Sequence, residues 1–188
     1  MNPVFAILGI PVIAAALLAA IPSRTVAARL NALASFATFL TALSLFEIRP
    51  APSLFLFIDD FNIYLVVLTT FVAFTTSWFS ASYIEHEVEI GRLTPISLRF
   101  YHAMYQLLSF GMLLALVANN IGLMWVAIEA ATLTTVVMVS LYRTQESIEA
   151  AWKYFILGSV GIAMALFGTI LIYLAAQPVL AEGVEAMA

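Results

Sequence analysis

The chain has 188 residues, 64% hydrophobic and 10% charged, with no cysteine and a net charge of -4. A soluble domain is roughly half apolar and a quarter charged, so this composition excludes a soluble globular enzyme and a disordered chain and leaves an all-α integral membrane protein. Without cysteine there is no thiolate, iron–sulfur or disulfide chemistry; His86 and His102, the two histidines, do not make a His-rich metal site, and 7 basic against 11 acidic residues leave no footprint for nucleic acid.

The apolar runs are continuous, unlike the alternating short strands of a membrane barrel. In chain order they are Pro3–Ile21, Ala27–Phe46, Phe61–Tyr83, Phe100–Ala118, Ile121–Tyr142 and Ile148–Ala176. Each is near the ~20 residues that carry a helix across ~30 Å of hydrocarbon, where backbone polar groups must be satisfied internally. About six transmembrane helices are therefore expected, forming a single transmembrane domain over residues 1–188. The first run has no basic residue ahead of it, so it reads as a retained helix and not a signal peptide.

The connections carry the punctuation. Ile21-Pro22-Ser23-Arg24 breaks the first helix, and Arg49-Pro50-Ala51-Pro52 ends the second. Leu54 to Ile58 reads as an extended or hairpin segment at the membrane surface. Asp59-Asp60 at the entrance to the third span reads as turn and cap. Ile84 to Arg99 is expected to be a charged, solvated loop in which Glu85-His86-Glu87 does not converge as a metal site. Asn119-Asn120 is a tight turn, and Thr144 or Ser147 is the N-cap of the sixth helix. The tail after Gln177-Pro178 is weakly acidic, with Glu182 and Glu185. Arg24, Arg29, Arg92, Arg99 and Arg143 fall on one side of the alternating loops and Arg49 on the other. In a bacterial inner membrane this bias puts the basic loops in the cytoplasm and both termini, the N-terminus included, outside.

Glu129 is the residue most demanding of explanation. It lies ~12 Å from one end of its span and ~20 Å from the other, too deep to reach the interface. It shares a stripe with Gly122, Trp125, Thr132, Val136 and Ser140, small or mildly polar residues suited to a bundle interior. An acid at the bilayer centre costs ~2.5–3.5 kcal/mol on translocon scales, which points to an ion or proton relay; the structural alternative is a protonated, hydrogen-bonded glutamic acid. Lys153, beside Trp152 and Tyr154, reads either as a snorkelling lysine in an i,i+4 pair with Glu149 or as an intramembrane base coupled to a carboxylate. It is too shallow, by ~12 Å, to pair directly with Glu129. His102 opens the fourth span, where it reads as interfacial or as feeding a proton path. Gly158, Gly161, Ala165 and Gly168 form a small-residue packing stripe. Gly158-Ser159-Val160-Gly161 is not a nucleophile motif, since no histidine follows it.

Trp125–Leu133, Leu141-Tyr142-Arg143 and Glu149–Leu157 together resemble a known family. It comprises the antiporter-like membrane subunits of respiratory complex I, membrane-bound hydrogenases and multisubunit sodium/proton antiporters, in particular hydrogenase-4 component F and its formate hydrogenlyase relatives. Ser159-Val160-Gly161-Ile162-Ala163 and Leu166-Phe167-Gly168-Thr169 extend the similarity, and Asp59 or Asp60 and Tyr83 fit its early pattern. The resemblance implies proton or sodium translocation coupled to electron transfer elsewhere in a hydrogenase-like or NADH dehydrogenase-like complex. Glu129 matches the family's membrane-embedded glutamate, and Lys153 a basic residue early in the next helix. The chain itself would be a non-catalytic component without a cofactor of its own. Its partners would be the lipid bilayer, other membrane and redox subunits, and a second chain if that supplies the rest of an antiporter unit. Family members have about fourteen helices in two inverted repeats, with a lysine and histidines in a segment resembling G-T-K…P-H-W-L-P. This sequence has no such segment and resembles the N-terminal portion only, as a fragment, a split subunit or a remnant. Other readings are a non-transporting anchor or assembly scaffold of such a complex and, with a single deep acid against it, an independent small transporter.

Overall fold

The computed structural model describes residues 3–177; the acidic tail with Glu182 and Glu185 lies outside them. The fold is six helices, each long and apolar enough to cross a membrane: α1 (Pro3–Ala20), α2 (Arg24–Leu43), α3 (Asp60–Glu89), α4 (Pro95–Val117), α5 (Ile121–Val139) and α6 (Gln145–Ala176). The chain is a multi-pass membrane protein. Single 3-10 turns extend α2 over Ser44–Phe46 and α5 over Ser140–Tyr142.

The caps are those the residue types dictate. Asp59 accepts from the Asn62 N–H at 2.6 Å, Asn120 from Leu123 at 3.0 Å, and Thr144 from Ser147 at 3.1 Å. Each relieves one of the orphan donors of a helix start. Asp60 pairs with Arg49 across the preceding loop. The segment expected to be extended or a hairpin bends at Leu54 and Phe55 and then pairs through a single bridge. Leu56 bridges antiparallel to Ala118, Phe57 donates to the Val117 carbonyl at 2.9 Å, and Asn119 donates to Phe55 at 2.8 Å. The segment thus straps the α4–α5 turn, and Ile58 enters the core.

The third connection differs from the solvated loop expected between Ile84 and Arg99. α3 continues to Glu89, and α4 begins at Pro95 behind its Thr94 cap. The charges are helical because the extension is amphipathic: Glu85, His86 and Glu89 face out, while Ile84, Glu87 and Val88 are buried. Gly91, at φ +76, closes the helix in the left-handed conformation that glycine adopts without penalty.

Helices α1 to α4 form the core, α5 packs on α4, and α6 packs on α5 at the periphery. One apolar cluster, with Ile7, Leu45, Ile63, Val66 and Val117, fills the end nearest the Leu54–Ile58 strap. A second, with Leu18, Ala27, Ile84, Leu93 and Leu98, fills the basic end. The α4–α5 contact is backbone-close at Gly111, where an added Cβ would lie 3.1 Å from the Ala127 carbonyl and from Ala131. The α6 stripe is not filled in the expected way: a Cβ on Gly158 would touch only Thr132, and one on Gly161 or Gly168 would meet nothing within 4 Å.

Candidate functional site

Glu129 projects from the middle of α5. The opposite face of that helix, Ala127 and Ala131, packs on Gly111 of α4. On Glu129's own stripe, Trp125 donates its indole N–H to the Ile162 carbonyl at 2.9 Å, and Thr132 faces Gly158. The stripe therefore follows α6 at the bundle periphery and does not enter the α1–α4 core. The residue is half-buried, and its Oε2 is enclosed with no hydrogen-bond partner. Burying a polar atom without a hydrogen-bond partner is costly, which sets Glu129 apart from the paired side chains of the spans.

Lys153 donates to Glu149 Oε1 at 2.5 Å, the i,i+4 pair read from the sequence, with both side chains largely exposed. The register set by Trp125–Ile162 and Thr132–Gly158 puts Lys153 ~10 Å nearer the α5–α6 turn than Glu129, and no bond joins the two.

His102 is not an interfacial side chain. It is wholly buried in α4, with neither ring nitrogen hydrogen-bonded, and the Tyr101 ring stands edge-on to it at 5.4 Å. The cause is the earlier start of α4, which carries His102 into its second turn. Through the contact at Gly111, His102 lies ~13 Å from the level of Glu129, and Glu129 points away from α4. The structure does not bring these two residues together.

His102 belongs instead to a buried polar layer that the sequence reading missed. Asn31, Ser35 and Thr38 of α2, His102, Gln106 and Ser109 of α4, and Thr70 and Ser77 of α3 are all buried. Gln106 Nε2 donates to Asn31 Oδ1 at 2.8 Å and to Ser35 Oγ at 3.0 Å, while Gln106 Oε1 and Asn31 Nδ2 lack partners. A cavity of about 10 Å³ touches Pro11, Ser35, Thr38, Thr70, Gln106 and Ser109, room for roughly one water. The signal was present: both trios recur at steps of four and three, one helix face each.

The basic end holds a second buried acid. Glu87 sits under Arg92, Oε1 to guanidinium 3.5 Å, with Oε2 unpartnered, and Tyr83 and Tyr142 join hydroxyls at 3.2 Å beside it. The expected solvated-loop role does not hold for Glu87, because the helix extension turns it inward.

The sequence model of the family described as NADH:quinone oxidoreductase/Mrp antiporter, TM, matches residues 118–183, a stretch containing Glu129 and Lys153 but not His102. A hydrogenase-4 component F homolog of Methylacidiphilum infernorum is 56% identical over 97% of this chain and 38% of that protein. NADH-quinone oxidoreductase subunit N of Coxiella burnetii is 31% identical over 64% of this chain and 24% of that protein. F(420)H(2) dehydrogenase subunit N of Methanosarcina mazei is 38% identical over 35% of this chain and 13% of that protein. In fold, a chain of the membrane-bound sulfane sulfur reductase, an archaeal respiratory membrane complex, matches with a TM-score of 0.75 at 17% identity, covering 95% of this chain and 38% of that one. The chain spans 38% of the hydrogenase-4 component F homolog. Over the part it spans, the chain is similar to antiporter-like membrane subunits of complex I and membrane-bound hydrogenases.

Proposed function

We propose that this chain takes part in translocating protons, or sodium ions, as part of a membrane subunit coupled to electron transfer elsewhere in a hydrogenase-like or NADH dehydrogenase-like complex. The reading is carried by one observation: Glu129 places an enclosed, unpartnered carboxyl oxygen halfway along a membrane helix. In this reading Glu129 exchanges a proton with water. A charge change signalled from the redox part drives that exchange. Lys153 supplies a movable cation at the basic end, where it trades Glu149 for a developing anion. His102, within its buried polar layer, serves a separate step on the α1–α4 side. The subunit lies in a bacterial plasma membrane with the basic end cytoplasmic and the N-terminus outside. Redox and membrane subunits are its partners, and helices that complete an antiporter unit, on whichever chain carries them, cover α5 and α6.

The test is Glu129→Gln in the assembled complex, reading proton translocation per electron together with subunit stoichiometry. Translocation should fall several-fold with stoichiometry unchanged. Undiminished pumping in a correctly assembled variant overturns the relay; lowered assembly with pumping intact would favour a scaffold.

A further inference from the structure

Between α2 and α3, on the outside of the bundle, lies a groove of about 750 Å³, within the ~300–1,000 Å³ range of ligand pockets. Its deep wall is aromatic. The Phe36 and Phe74 ring centres are 5.0 Å apart, and those of Phe74 and Trp78 are 6.2 Å apart. Its mouth at the basic end is polar, with Thr25 and Arg29 from α2 facing Ser82 and Glu85 from α3. Phe36 lies ~10 Å deeper along α2 than Arg29, and Trp78 ~10 Å deeper along α3 than Glu85. Apolar depth and polar mouth therefore coincide on both walls.

The mouth holds one cation and one anion, and they do not neutralise each other. The ion pairs among the described residues are Arg49–Asp60, His86–Glu89, Arg92–Glu87 and Lys153–Glu149; neither Arg29 nor Glu85 takes part. Both side chains are exposed at the rim.

We propose that this groove is a phospholipid site selective for an ethanolamine headgroup. The acyl chain lies against Phe36, Phe74 and Trp78. The phosphate takes the Arg29 guanidinium, with the Thr25 hydroxyl as a further donor. The ammonium, which carries N–H donors, takes the Glu85 carboxylate. A glycerol headgroup brings the same phosphate but no cation, leaving Glu85 beside an anion. A choline headgroup brings a cation with no N–H to donate.

The experiment is native mass spectrometry of the protein purified in mild detergent from a membrane containing both phosphatidylethanolamine and phosphatidylglycerol, with bound lipid quantified against the membrane's own ratio. The wild type should retain phosphatidylethanolamine in preference. Arg29→Ala should lower retention of both lipids about fivefold, the effect of one basic residue at an anionic surface. Glu85→Gln should keep total lipid and turn the preference toward phosphatidylglycerol. Phosphatidylglycerol favoured by the wild type, a preference indifferent to Glu85→Gln, or a protein subunit filling the groove without retained lipid would each overturn the assignment. If Arg29→Ala lowers the unfolding midpoint, the Glu85→Gln result decides alone, since it replaces an exposed, unpaired carboxylate with its isostere.

Discussion

At the scale of single residues, the described core keeps its polar atoms paired except at a few places. Glu129 is one of the residues outside that rule. Its Oε2 has no partner, so replacing the carboxyl with an amide breaks no bond at that atom. Glu129→Gln should leave the thermal unfolding midpoint in detergent unchanged or raise it, by up to ~1 kcal/mol, while translocation falls. Lys153 and Glu149 form a largely exposed pair, and such pairs contribute ~0–1 kcal/mol. Lys153→Met should therefore be silent in unfolding and visible in ion flux; a variant normal in both would remove Lys153 from the pathway. Gln106 is the opposite case. Gln106→Leu strips donors from Asn31 and Ser35, both buried, and leaving buried acceptors unmatched costs ~1–3 kcal/mol. A clear fall in the melting temperature is expected, measured by thermal unfolding in detergent.

At the scale of elements, two glycine positions separate contact from open surface. Gly111 is where α4 and α5 touch through backbone, with Ala127 and Ala131 at 3.1 Å from a built Cβ. Gly111→Leu should push the helices apart and destabilise by ~1–3 kcal/mol, the usual effect of overpacking. Gly168 meets nothing within 4 Å, so Gly168→Ala in the isolated chain should gain ~0.5–1 kcal/mol from helix propensity. Paired melting curves decide it, and equal effects at the two positions would contradict the packing described. The Leu54–Ile58 strap works on the same scale: two backbone hydrogen bonds and the Asn119 amide to Ser53, at 2.9 Å, tie the α2–α3 connection to the α4–α5 turn.

At the scale of the whole molecule, burial is uneven. The spans of α1 and α4 are 44% buried and those of α5 and α6 only 6%. The helices bearing Glu129 and Lys153 therefore turn most of their surface outward. Orientation is testable directly because the chain has no cysteine of its own. Single cysteines at Ala51 and Gln145, both exposed and outside the described side-chain bonds, mark opposite ends. An impermeant thiol reagent applied to intact cells should label Ala51→Cys, and should reach Gln145→Cys after the membrane is opened. The reverse pattern would invert the topology.

The sequence by itself determined the class, the number of spans, the caps of the third and sixth helices and the depth of Glu129 along its helix. These follow from composition, run length and the fixed rise of a helix, which are local quantities. It also carried the Lys153–Glu149 pair, since an i,i+4 contact lies within one helix. It misplaced Glu87, because charge density alone does not distinguish a loop from an amphipathic helix end. The tertiary structure alone decided which faces meet: that the Glu129 stripe follows α6 at the periphery, that His102 and Gln106 lie in a buried layer with Asn31 and Ser35, and that Gly111 rather than Gly161 or Gly168 is the close contact. In a membrane span nearly every face is apolar, so the usual contrast between inward and outward positions fades. Which face is covered then depends on the shape and polar pairing of neighbours far away in the chain.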